Sequence, residues 1–137
     1  MKRKIIFSLS LTILLAIFAL SGCNVSTANM SSLKTATDKE GKSETSKFKP
    51  GDTFYGIATI SNNPGTVKVK TYWTDPKGSV IKATESTTEV QGDGKATFSI
   101  PINEAMPPGE YKITAEMMNE DGEKKDSKTA NFSLIEE

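Results

Sequence analysis

The chain of 137 residues has no histidine, one cysteine and no surplus of either charge, with 17 Lys plus Arg against 17 Asp plus Glu. Lacking histidine, it lacks the commonest general base and metal ligand, which excludes Ser-His-Asp and Cys-His catalysis. With a single thiol it can form no internal disulfide, so whatever folds must stand on its hydrophobic core. Balanced charge leaves no electrostatic footprint for a nucleic-acid partner. A metal site past residue 23 would need oxygen ligands alone, drawn from Asp75, Asp93, Asp121 and Asp126 in separate loops. The expectation is therefore no catalytic residue, no metal, no cofactor and no nucleic acid.

One long apolar run is present, residues 5–20, broken by Ser8, Ser10 and Thr12 and preceded by Lys2, Arg3 and Lys4. A membrane-spanning helix needs ~20 predominantly apolar residues, whereas the apolar part of an export signal runs ~7 to 15. The run is followed by Leu20-Ser21-Gly22-Cys23. That tetrapeptide resembles the lipobox of bacterial lipoproteins: an aliphatic residue, two small residues and a cysteine closing an export signal. The resemblance implies that the Cys23 sulfur is acylated, that small Ser21 and Gly22 admit the signal peptidase, and that residues 1–22 are removed. The mature chain would then carry 14 basic against 17 acidic side chains, because Lys2, Arg3 and Lys4 leave with the signal. Two or more acyl chains anchor a protein stably, so the lipid alone would hold it on the extracytoplasmic side of the cell membrane.

Residues 24–47 contain no aromatic side chain and nine Ser or Thr. Such a segment offers little apolar surface to offset chain entropy, so residues 23–47 are expected to be a lipidated, disordered tether. Fully extended, its 24 residues past the cysteine would reach ~80 Å. The spacing of Val25, Met30 and Leu33 is a weak hint of a partner-binding segment.

Residues 48–137 have a different texture, with short alternating runs closed by turn residues. Residues 54–60 form one such run, stopped by Asn62, Asn63, Pro64 and Gly65. Over 66–74, Val67, Val69, Thr71 and Trp73 share one face, and Lys68, Lys70 and Tyr72 share the other. Asp75-Pro76-Lys77-Gly78 fits a type I turn and returns the chain into 79–84, after which the polar stretch 85–90 is an edge or connecting segment. Next come a strand over 95–102 with Pro101 turned outward, a strand over 110–118, a hairpin turn at 119–122 and a closing strand over 128–134. The alternating signs of 120–128 read as a solvated hairpin tip. No helical period stands out. Six or seven strands with turn signals at this spacing predict an all-β antiparallel sandwich.

The run Trp73, the Asp-Pro-Lys-Gly turn and Gly109-Glu110-Tyr111-Lys112-Ile113 resembles the Ig-like and fibronectin-III-like sandwiches of bacterial surface proteins. The resemblance implies that Trp73 fills the centre and that the Tyr111 hydroxyl bonds backbone upstream. It gives an architecture and no activity. Gly92-Asp93-Gly94-Lys95 fails as a phosphate loop, because Glu89 and Ala96 stand where Gly and Ser or Thr are needed. Asn119 to Gly122 fails as a calcium loop, with Met117 at the first ligand position and Lys128 in place of the bidentate Glu. The remaining candidate site is a surface patch, Tyr72 beside Lys68 and Lys70, for contact with a partner. The sequence thus reads as a monomeric envelope lipoprotein whose sandwich engages a protein partner. An enzyme inhibitor using the loop at 105–109 and a small-ligand carrier with an apolar pocket are the alternatives.

Overall fold

A computed structural model describes residues 27–137. They form eight strands: β1 (Asn29–Ala36), β2 (Lys47–Phe48), β3 (Thr53–Ser61), β4 (Thr66–Thr74), β5 (Val80–Gln91), β6 (Gly94–Pro101), β7 (Gly109–Met118) and β8 (Lys124–Leu134). Two sheets face each other, one in the order β1-β3-β6 and the other β2-β8-β7-β4-β5. All pairings are antiparallel except the short one between β2 and β8. This is the two-layer Greek-key arrangement of Ig-like domains.

The period-2 patterns fold as read. Val67, Val69, Thr71 and Trp73 of β4 are all buried, as are Tyr111, Ile113, Ala115 and Met117 of β7. Two clusters fill the interior. One gathers Met30, Ile60, Val69, Phe98 and Met117; the other gathers Phe48, Phe54, Trp73, Tyr111, Ile113 and Phe132. The turn after β4 closes with Gly78 N–H donating to Asp75 O at 3.0 Å, and the Asp75 carboxylate accepts the amides of Lys77 and Ser79. The hairpin at 119–122 also forms, with Gly122 N–H donating to Asn119 O. The strand after it begins at Lys124 rather than 128, so part of the expected solvated tip is paired to β7.

Residues 27–47 are not a tether. β1 pairs with β3 along its whole length, and Met30 and Ala36 are fully buried. The connection from β1 to β2 is also built. Asp38 accepts the amides of Lys42 and Ser43, which hold its carboxyl below the usual range. Thr37 N–H donates to Ser43 O, and Gly41 lies against Ile57, an outward-facing residue of β3 that is only 2% exposed for that reason. A low apolar content predicts disorder only for a segment that must stabilise itself, whereas β1 borrows an open sheet edge and an existing core. The polar stretch 85–90 is an edge, as one of its two readings had it: it belongs to the long strand β5 at the end of its sheet.

The Tyr111 hydroxyl donates to Pro107 O at 2.7 Å, the corner that the resemblance implied. Just before it, Gly109 has φ +149, and a Cβ there would come within 2.9 Å of the Pro76 ring. Tyr111→Phe is expected to cost about 1 kcal/mol, the net worth of one hydrogen bond, read as a lower urea midpoint at unchanged slope. An unchanged midpoint would mean the corner bond contributes nothing to the fold.

Candidate functional site

The two lateral openings of the sandwich differ. On one side β1 packs against β8, and the outward amide of Met30 donates to the Asp126 carboxylate at 2.8 Å, linking the two sheets. On the other side lie the free edges β5 and β6. At their shared turn these are pinned together: Asn63 Nδ2 donates to Val90 O and Gly92 O, Asn63 N–H to the Asp93 carboxylate, and Gly92 N–H to Gly65 O.

Away from that turn the two edges part. Two steps along β4, from Thr71 to Trp73, are matched by five along β5, from Ser86 to Ile81. The extra residues form a wide bulge, in which Thr84 Oγ1 accepts the Trp73 amide at 2.8 Å and donates to Ile81 O. Under the bulge an apolar cleft of about 330 Å³ opens between the sheets, lined by Trp73, Ile81, Ile100, Met106, Tyr111 and Leu134, among others. A second space of about 190 Å³ shares Trp73, Ala83, Thr84 and Ile100 with it and runs on toward Phe54, Phe98 and Ile113. Trp73 stands between the two, 3% exposed, against the rings of Phe54 and Phe132 at 4.8 and 4.7 Å. Its indole N–H is the one buried side-chain polar atom without a hydrogen-bond partner among the described residues. The loop at 105–109 borders the cleft, held by the Tyr111 bond to Pro107 and by the Met106 amide donating to Asn103 O.

Of the residues singled out by sequence, Leu20, Ser21, Gly22 and Cys23 lie outside the described residues. Lys68, Lys70 and Tyr72 do share the outer face of β4. Lys68 stands in register with Glu89, Lys70 with Glu116, and the Tyr72 hydroxyl donates to Glu116 Oε1 at 3.3 Å. Burial, with the nearby Glu116 carboxylate adding to it, raises the Tyr72 phenol above its ordinary value. The patch is thus an acid-balanced sheet face rather than a cationic one. Asp75, Asp93 and Asp126 each accept backbone amides in different places, and no group of three metal-ligating side chains forms among the described residues.

Sequence reasoning assigned Trp73 to the centre of the core but missed the cleft beside it. Its signal was the polar run following Ile81, which marked a free edge but could not show that β5 bulges away from β6.

No protein-family model matches the sequence, and no curated protein matches it. Among solved structures the chain is similar to a Niemann-Pick type C2 protein from Japanese carpenter ant, at 10% identity over 82% of this chain and 96% of that one, with a TM-score of 0.52. Weaker likenesses are to a CARDB domain from Pyrococcus furiosus in complex with di-metal ions (15% identity, 75% and 84% of the two chains, TM-score 0.43) and to an alkylpurine DNA glycosylase from Pseudomonas fluorescens bound to DNA (13%, 85% and 33%, 0.44). The likeness to the ant protein is one of fold. The chain is an Ig-like β-sandwich of two sheets, three strands facing five.

Proposed function

We propose that this is a non-catalytic binding module of the bacterial envelope, held on the outer side of the cell membrane by lipid on Cys23. The observation that supports it most is where the chain enters the fold. Thr27 Oγ1 donates to Asn62 O at 2.9 Å, at the end of the sandwich that carries the turns at 62–65, 92–93 and 119–122. Only residues 24–28 then separate Cys23 from β1, a reach of ~17 Å instead of the ~80 Å of a full tether. An acylated Cys23 would set that end against the bilayer. The loops at 75–78 and 103–108, at the opposite end, would face outward, and with them the region of the cleft.

The test is intact mass and membrane partitioning of the full chain expressed in a bacterium, beside Cys23→Ala. The expected result is a chain that begins at Cys23, carries added acyl mass and pellets with membranes, with the acyl mass and the processing both lost in the variant. A full-length, unacylated chain in the wild type would overturn the anchor and the orientation argued from it.

A further inference from the structure

We infer that Met106 is an oxidation site, and that its thioether is the latch holding the 103–108 loop against the aromatic core. Three observations carry this. The first is access. Of the methionines among the described residues, Met30 and Met117 are 2% and 0% exposed, whereas Met106 and Met118 are half-buried. Met106 also borders two concavities: the cleft of about 330 Å³, and one of about 270 Å³ that shares Met106 and Leu134 with it and continues to Pro50, Ile102 and Ile135. A small neutral oxidant can therefore approach this side chain from either space. The second is position. Met106 packs against the aromatic cluster, while Met118 stands at the end of β7 in register with Lys68 and Lys124, outside both clusters. Of the two accessible methionines, only Met106 touches the core.

The third is how little else holds the loop. At its start the Ile102 amide donates to Asp52 O at 2.9 Å, and near its end Pro107 O accepts the Tyr111 hydroxyl. Between those two ties its hydrogen bonds stay inside the loop, from the Met106 amide to Asn103 O at 3.2 Å and from the Ala105 amide to Asn103 Oδ1 at 2.9 Å. The apolar packing of Met106 is what fastens that stretch to the sandwich. Hydrogen peroxide gives one oxygen atom to the sulfur: the O–O bond breaks, the thioether is oxidised to the sulfoxide, and the peroxide is reduced to water. The new oxygen is polar, and among Ile81, Ile100, Ile102 and Leu134 it would be desolvated at a cost. Turning the side chain out to solvent relieves that cost, and the loop leaves the core with it. The inference stands whether or not Cys23 is lipidated.

The full chain carrying Cys23→Ser, which removes the competing thiol, is treated with hydrogen peroxide and mapped by tryptic mass spectrometry. Cleavage after lysine puts Met106 alone in the peptide 96–112, and Met117 with Met118 in 113–124. Met106 is expected to gain the mass of one oxygen about tenfold faster than Met30, because a buried sulfur reacts only when the structure opens around it. The oxidised protein should lose about tenfold in its folded-to-unfolded ratio, read as a lower urea midpoint at unchanged slope, and should bind the apolar dye anilinonaphthalene sulfonate more strongly. Met106→Leu, which keeps the volume, should be insensitive to peroxide in both readouts, and Met118→Leu should respond as the parent does. Methionine sulfoxide reductases with dithiothreitol, which remove the oxygen as water while the dithiol closes to a disulfide, should restore the parent midpoint. Oxidation of Met106 no faster than that of Met30 would overturn the site. A midpoint unmoved by oxidised Met106, or a Met106→Leu variant that peroxide destabilises as much as the parent, would overturn the latch.

Discussion

Phe132→Ala is expected to remove about 4 kcal/mol of stability, within the ~3 to 5 kcal/mol usual for a buried Phe cut to Ala. The ring is 1% exposed, and four others meet it: Phe48, Phe54, Trp73 and Tyr111, at centroid distances of 6.0, 4.6, 4.7 and 5.7 Å. Those rings come from β2, β3, β4 and β7, so Phe132 joins both sheets at once. Truncation leaves a cavity whose walls belong to different strands and cannot collapse together, and it also forfeits the aromatic contacts, worth ~0.5 to 1.5 kcal/mol per pair beyond their area. Domains of this size hold ~5 to 15 kcal/mol in total, so the variant should melt ~15 °C lower. Phe132→Leu keeps most of the volume and should lose less than half as much. Urea unfolding of the three proteins checks this. A loss below ~1 kcal/mol for Phe132→Ala would show that the ring cluster is not the centre of the fold.

The aromatic cluster was legible where its members sit in alternating runs, as Trp73, Tyr111 and Phe132 do; Phe48, in the two-residue strand β2, carries no such pattern. Trp73 follows Val67, Val69 and Thr71 at two-residue spacing, and Tyr111 leads Ile113, Ala115 and Met117 in the same way. Where a strand departs from that spacing, reading by period fails. β1 carries Met30 opposite Ile60 and Leu33 opposite Ala58, three residues apart on β1 but two on β3, because the register slips between Met30 and Ser32. That bulge turns a half-buried strand into a sequence with an i, i+3 spacing in a Ser-rich background, which resembles neither strand nor core. The cleft was hidden for a related reason. A bulge of several residues in β5 depends on the Thr84 hydroxyl reaching the Trp73 amide, a contact between strands that no local pattern encodes. Small residues helped to conceal it too. Gly56 faces inward on β3 so tightly that a Cβ would fall 2.6 Å from Ile113 Cδ1, yet as a residue type it reads as a weak point in a strand.

Met30→Ala separates a paired β1 from a tether with the largest contrast available at the N-terminal side. The side chain is 2% exposed and packs in the cluster of Ile60, Val67, Val69 and Met117, so its truncation is expected to cost about 2 to 4 kcal/mol. In a tether the same change would cost nothing. Lys34→Ala is the internal control: its nearest acid, Glu44, is 3.8 Å away with both side chains about half exposed, and such a pair contributes little. It should stay within ~0.5 kcal/mol of the parent. The measurement is urea unfolding of the full chain followed through Trp73, which lies in the other cluster, so a midpoint shift for Met30→Ala would report cooperative loss of the whole sandwich rather than local fraying of β1. A parent-like midpoint would detach β1 from the folding unit and restore a long reach between Cys23 and the domain. A lowered midpoint with unchanged slope would mean that β1 is part of the sandwich itself, and that a lipid on Cys23 could hold the domain no more than a few residues from the bilayer.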